Sequence, residues 1–240
     1  IDKDIKARGG LTFFDYPNPW IHEDQNGAWL PAGRPTDDSD QTADLCHSLI
    51  ACGKIDQDHL RDALINSVGR GISRLWDGQA TGSGRTTRNA LGVGVKTKRI
   101  NGVLTNTIGT NGSLMRCAPM ALWIGHVTQL SDRSSSRSKA KHQVLAMSDV
   151  THDHPHARES CWIYTVMLSS VLSGLSPEDS LSNMLTSEQL LEWNFFQRLI
   201  SRLRDPYDFP YDPGAWPARG IAEFSLYVAL HTFLNSDSFA

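Results

Sequence analysis

An all-α fold is what this sequence predicts, and three observations predict it. Apolar residues recur at intervals of three and four along most of the chain. Clusters of Ser, Thr, Asp, Pro and Gly mark helix starts and stops between them. No convincing run of alternating apolar and polar residues offers a strand. The chain has 240 residues, which suits one large domain or two small ones. A hydrophobic fraction of 40% and seven Trp supply a core, and 20% charged residues are too few for a disordered chain. No internal repeat is visible.

The first 35 residues carry Tyr16-Pro17-Asn18-Pro19-Trp20 and Pro31-Ala32-Gly33-Arg34-Pro35 and keep no sustained period, which predicts ordered loop. Thr36-Asp37-Asp38-Ser39 then caps a helix expected to run to about Ala51, with Gly53 at its end. Asp56 opens a second helix, in which Leu60, Leu64, Val68, Ile72 and Leu75 make one apolar face. Residues 78–84 read as a loop and residues 89–112 as irregular, Gly-rich chain. Ser113 to Gly125 reads as a buried helix that Pro119 either kinks or starts late. Residues 129–138 read as a polar loop, followed by a short helix from Lys139 to Val150. Pro155 opens a helix that stops near Gly174. A further helix is expected from Ser187 to Leu203, a proline-rich loop from Asp205 to Pro217, and a last, very apolar helix from Gly220 to Leu234.

Several function classes are excluded early. The formal net charge of −3 leaves no nucleic-acid footprint, and the richest basic stretch, Arg133 to Lys141, is interleaved with serines and reads as a solvated loop. No apolar run approaches the about 18–20 residues that span a membrane, and no secretory signal is recognisable. Cys46, Cys52, Cys117 and Cys161 form no CxxC pair, which argues against a zinc finger or disulfide scaffold and makes a reducing cytoplasm the expected setting.

Three segments can carry chemistry. In Thr36-Asp37-Asp38-Ser39-Asp40-Gln41-Thr42, adjacent carboxylates beside hydroxyls at a helix start offer hard oxygen ligands to Mg²⁺, Mn²⁺ or Ca²⁺; ordinary helix capping is the plainer explanation. In Gly109-Thr110-Asn111-Gly112-Ser113-Leu114-Met115-Arg116, a Gly-rich turn entering a helix exposes N–H groups to phosphate or diol oxygens, or is simply a capped turn. Arg116 either neutralises an anion or pairs with a buried carboxylate. In Val150-Thr151-His152-Asp153-His154-Pro155-His156, three His alternate, but the corner at Pro155 keeps them from converging on a metal, and a hydrogen-bonding role suits His152 better.

Taken in order, these three segments resemble the ADP-ribosylglycohydrolase family. The likeness extends to Arg219-Gly220-Ile221, Leu226, Ala229, Leu230, Phe233 and Ser236-Asp237-Ser238-Phe239, and so covers most of the chain. The resemblance implies a compact multi-helix bundle that binds two divalent ions, Mg²⁺ or Mn²⁺, and hydrolyses the glycosidic bond between ADP-ribose and a protein side chain. It implies Thr36, Asp37 and Asp38 as metal ligands, with Asp37 or Asp38 managing the proton. It implies Asn111, Gly112, Ser113 and His152 as the ADP-ribose-binding residues, and no catalytic role for His154. The substrate is then an ADP-ribosylated protein or another ADP-ribose derivative.

The departures are also informative. The family's Gly-Asp-Ala-Leu-Gly helix has no counterpart before Ile1, and the chain stops at Ala240, ahead of the family's Gly-Gly-Asp-x-Asp motif. Residues 1–240 are therefore expected to form a single domain incomplete at both ends, with only part of the metal site. Weak ion binding is expected of the isolated chain. A companion chain, self-association or rearranged helices are expected to cover the surface left bare. A non-catalytic, crystallin-like member of the same fold, a hydrolase of O-acetyl-ADP-ribose or a similar derivative, and an unrelated helical scaffold stand as rivals.

Overall fold

A computed structural model describes residues 16–17, 29–30, 35–75, 80, 82–93, 109–129, 133–185, 203 and 220–235. Within them the architecture is all-α. Its helices are α1 (Asp37–Cys52), α2 (Gln57–Leu64), α3 (Arg85–Leu91), α4 (Ala118–Gln129), α5 (Arg133–Asp149), α6 (Pro155–Leu172), α7 (Pro177–Leu185) and α8 (Ala222–Leu234). The β-structure among the described residues is slight. Tyr16–Pro17 pairs antiparallel with Trp29–Leu30, and Thr110 makes one bridge to Ile221.

The helix boundaries follow local chemistry. Gly53 ends α1 in the left-handed conformation at φ 67°, with its N–H on the Leu49 carbonyl. Asp56 caps α2 through His59 N. That helix passes into a single π turn at Ile65–Gly69 and stops there. Leu60, Leu64 and Val68 are buried as expected, but Ile72 and Leu75 are exposed, because the chain leaves the helix before reaching them. Pro119 resolves its own ambiguity: α4 starts late, at Ala118, and residues 111–116 are turns. Pro155 occupies the first turn of α6, and His154 caps it.

Two expectations are corrected. Residues 133–138 are helical, not loop: α5 starts at Arg133 and carries the whole serine-rich basic stretch. Ser136, Ala140, Val144 and Met147 line its buried face, so the apolar stripe opens with a serine, which hides it in the sequence. The short helices α3 and α7 also fall where no helix was expected. The expected helix at 187–203, apart from Leu203, and the loop at 205–217 lie outside the described residues, as do most of residues 1–34.

α6 lies at the centre, packed by α4, α5, α7 and α8. Its Cys161, Trp162 and Ile163 are buried among Met120 of α4, Val144 and Met147 of α5, Met184 of α7 and Leu226 of α8. Each fully buried side chain of this size contributes about 1.5–3 kcal/mol. α1 and α2 pack together on the α4 and α5 side, with Leu45, Leu60 and Leu64 wholly inside. This arrangement places the N-terminus of α1 near the 109–116 turns and the 148–152 corner between α5 and α6.

Candidate active site

Thr36 caps α1 with extended backbone, and its carbonyl accepts from Ser39 N at 3.1 Å and Asp40 N at 3.0 Å. Its hydroxyl makes no capping bond and donates instead to Asp38 Oδ2 at 3.3 Å. Asp38 is exposed, and Asp37 is half-buried. Burial first, then the Asp38 charge beside it, push Asp37 up from 3.8 to about 7. The backbone N–H groups of Asp37 and Asp38, at the positive end of the helix, offset only part of that rise. Gly82, at φ 103°, lies so close that a Cβ there would sit 2.6 Å from Asp37 Oδ1. Only glycine permits this approach.

One turn along the same helix, Gln41 is completely buried and donates from Nε2 to Asp37 Oδ2 at 3.4 Å. Its Oε1 accepts from Arg116 Nη1 at 3.0 Å. Arg116 is also completely buried. Its other acceptors are the Gly112 carbonyl at 3.3 Å, the Met147 carbonyl at 3.3 Å and Thr151 Oγ1 at 2.7 Å. Both sequence readings of Arg116 therefore give way to a third. It meets neither an exposed anion nor a paired carboxylate in these bonds, but four neutral oxygens from three segments: α1, the 109–116 turns and the end of α5. Burial lowers its pKa to about 10, which still leaves it charged at neutral pH.

Thr151 Oγ1 lies 2.7 Å from His152 Nδ1, and His152 Nε2 lies 3.0 Å from Thr110 Oγ1. Burial, reinforced by the Arg116 charge, pushes His152 down to about 3, so its ring is neutral. A continuous hydrogen-bonded chain thus runs Asp37–Gln41–Arg116–Thr151–His152–Thr110. It joins all three chemistry-bearing segments of the sequence.

The four residues expected to bind ADP-ribose are together, but mostly inside. Ser113 is completely buried, and its hydroxyl accepts from Ser148 Oγ at 2.9 Å. Gly112 is buried against the His152 ring: a Cβ there would lie 2.7 Å from Cε1 and 2.9 Å from Thr87 Oγ1. His152 is 1% exposed. Asn111 is half-buried, gives Nδ2 to Ser225 Oγ at 3.0 Å, and hangs its own N–H on the Gly220 carbonyl at 2.7 Å. The turn is therefore pinned to α8 on one side and to His152 on the other. His154 packs its ring on Gly109 and accepts from His156 N at 3.2 Å, a capping role. His156 pairs instead with Glu223 at 3.2 Å.

Behind the acidic helix end lies a second polar layer. Asp40 Oδ1 accepts from Ser73 Oγ at 2.6 Å and Arg74 N at 3.2 Å, while Asp44 takes Ser67 Oγ and Arg74 Nε. These bonds fix the 67–74 segment against α1. In the sequence Asp40 is one member of the acidic run, and Gln41, Gly82 and Thr87 do not stand out. The signal for Gln41 was present, since i and i+4 share a helix face.

Thr36, Asp37 and Asp38 suit a hard cation. They are all-oxygen donors, and the burial and the Asp38 charge that together raise Asp37 to about 7 are both countered by a divalent ion. Among the described residues no group of three or more His, Cys, Asp or Glu side chains is placed to hold a metal ion, so these three offer part of a donor set. The four cysteines are free thiols. No helix among the described residues is long and apolar enough to cross a membrane.

Comparison with known proteins gives a family for the chain. The profile of the ADP-ribosylglycohydrolase family matches residues 2–240. A curated protein from Pseudomonas putida (strain GB-1), named an ADP-ribosylarginine hydrolase, is 27% identical over 164 residues. That match takes in 66% of this chain and 40% of the relative, so the chain spans well under two thirds of the relative's length.

Proposed function

The chain belongs to the ADP-ribosylglycohydrolase family, and on that premise we propose that it is a divalent-cation-dependent hydrolase that releases ADP-ribose from a modified protein side chain. The observation that carries this reading is the bonded chain from Asp37 through Gln41, Arg116 and Thr151 to His152. A cap that served only to start a helix would need no such connection to two distant turns.

Thr36, Asp37 and Asp38 would hold Mg²⁺ or Mn²⁺. An ion held there would supply Lewis-acid activation of the water that attacks the anomeric carbon. Everything else falls to the chain's own groups. Asp37 and Asp38 are the carboxylates at hand to take the proton of the attacking water, and a bound ion would keep Asp37 ionised at neutral pH, as that role requires. Neutral His152 holds Thr110 and thereby the shape of the Thr110–Ser113 turn without adding charge beside an anionic substrate. Ser113 keeps that turn closed through Ser148 rather than by touching the ligand. Asn111, the half-exposed member, and the backbone beside it are the groups we assign to ADP-ribose.

The relative named for ADP-ribosylarginine makes arginine the first linkage to test. Peptides ADP-ribosylated on arginine and on serine, and O-acetyl-ADP-ribose, should be incubated with the chain in Mn²⁺, Mg²⁺ or chelator, with released ADP-ribose quantified. Release from at least one protein-linked substrate, abolished by chelator and reduced at least about 100-fold by Asp38→Asn, is expected. Turnover confined to O-acetyl-ADP-ribose would move the chain to another substrate class, and turnover unaffected by chelator would overturn the cation's role.

A further inference from the structure

Gln41 stands between the two charged groups of the bonded chain, and its amide has only one workable orientation. Arg116 carries donors and no acceptor, so the amide oxygen of Gln41 must face it. The amide N–H₂ is thereby turned toward Asp37. The two ends that ordinary side-chain amides leave ambiguous are fixed here by chemistry. Arg116 is fixed in turn by the Gly112 and Met147 carbonyls and by Thr151, from both turns that flank the site.

Resting on the function proposed above, we propose that Gln41 is a positioning residue: oriented by the buried Arg116, its amide pins one carboxylate oxygen of Asp37 and so aims the other. The second oxygen, Oδ1, is the one against which Gly82 lies bare. Between the amide on one side and the glycine on the other, Asp37 has little freedom to rotate. The arrangement couples the acid to the 110–116 turn and to His152, so the parts of the site keep their relative placement.

A merely structural Gln41 would only supply an acceptor for Arg116. Two substitutions separate these roles. Gln41→Leu removes both the acceptor and the donor. Gln41→Glu restores, with a full charge, the acceptor that Arg116 needs, but brings no donor to Asp37. Three readouts are taken on the full chain: thermal melting, the Mn²⁺ concentration that half-saturates the cation-induced rise in Tm, and kcat and KM on the substrate found active.

The proposal expects Gln41→Leu to lower Tm and to need about tenfold more Mn²⁺, as loss of a hydrogen bond to a charged group does. It expects Gln41→Glu to recover the melting temperature while kcat stays at least about tenfold below wild type and KM holds within about twofold. Recovery of kcat along with Tm in Gln41→Glu would overturn it, since Gln41 would then serve Arg116 alone. If wild type hydrolyses nothing, the proposed activity fails, and the inference is judged on Mn²⁺-dependent melting: an unchanged midpoint in Gln41→Leu overturns it, and a raised midpoint upholds it. A wild type whose Tm ignores Mn²⁺ overturns it as well.

Discussion

The two ends of the hydrogen-bonded chain are built on opposite principles. At the α1 end, Asp37 and Asp38 are half-buried and exposed, and they crowd like charges without a cation beside them among the described residues. At the other end, Arg116 and His152 are buried almost completely, and each hydrogen-bonding nitrogen named above has an oxygen partner. Charge held under repulsion at a surface is placed to receive something. Charge enclosed by neutral oxygens is placed to hold a shape. The difference teaches where ligand chemistry belongs in this fold and where its geometry is kept, and each of the following experiments breaks or sharpens it.

The largest effect should come from the enclosed end. Arg116→Leu takes a donor away from the Gln41, Gly112, Met147 and Thr151 oxygens, of which Thr151 keeps its His152 partner. Each buried acceptor left without a donor costs about 1–3 kcal/mol, against a total stability of about 5–15 kcal/mol for a domain. Chemical denaturation should show that loss. Arg116→Lys, which keeps the charge but not the fork, should fall between. A Leu variant as stable as wild type would show that the four oxygens find other partners.

The pH dependence should have two limbs of opposite sign, one from each end. His152 has its folded pKa lowered from 6.5 to about 3. Its contribution is present above the unfolded value and is lost as pH falls through that window toward the folded one. The acid limb should therefore be steep, and a His152→Gln variant should flatten it. Asp37 is raised from 3.8 to about 7. Its contribution is present below pH about 4 and is lost as pH rises to about 7. Because this side chain is partly exposed, solvent screens the effect to about 1 kcal/mol or less. Without divalent ions, Asp37→Asn should melt slightly above wild type at pH 8 and level with it at pH 4. Melting curves of the three proteins from pH 3 to 8 check both limbs.

Much of this molecule was legible before its structure. The start of α1 after Thr36, its stop at Gly53, the late start of α4 forced by Pro119 and the start of α6 at Pro155 all follow from local backbone chemistry. α7 had its signals too: Ser176 caps Asp179 N at 3.0 Å, Pro177 comes first, and Glu178 and Asp179 fill the first turn. The start of α5 is hidden in the sequence because all of its first six residues are serine or arginine, and the buried face from Ser136 to Ser148 opens with a serine. The three site segments were visible as segments, but not their joinery. Gln41 and Arg116 lie 75 residues apart, and Thr110 and His152 lie 42 apart. No local pattern reports a bond between residues so far apart in sequence. Burial was equally hidden: Ser113 and His152 look like ligand-facing residues in sequence, and packing turns both inward.

The central claim is that Thr36, Asp37 and Asp38 form the receiving end, and calorimetric titration with Mn²⁺ tests it most directly. The account predicts a weak but saturable isotherm for the wild-type chain, with Kd on the order of 10⁻⁴ M or above for a partial oxygen donor set. It predicts that Asp37→Asn and Asp38→Asn each abolish that isotherm while Ser113→Ala leaves it intact. Binding that survives both aspartate substitutions unchanged would contradict the claim and leave the two acids as nothing more than the cap of α1.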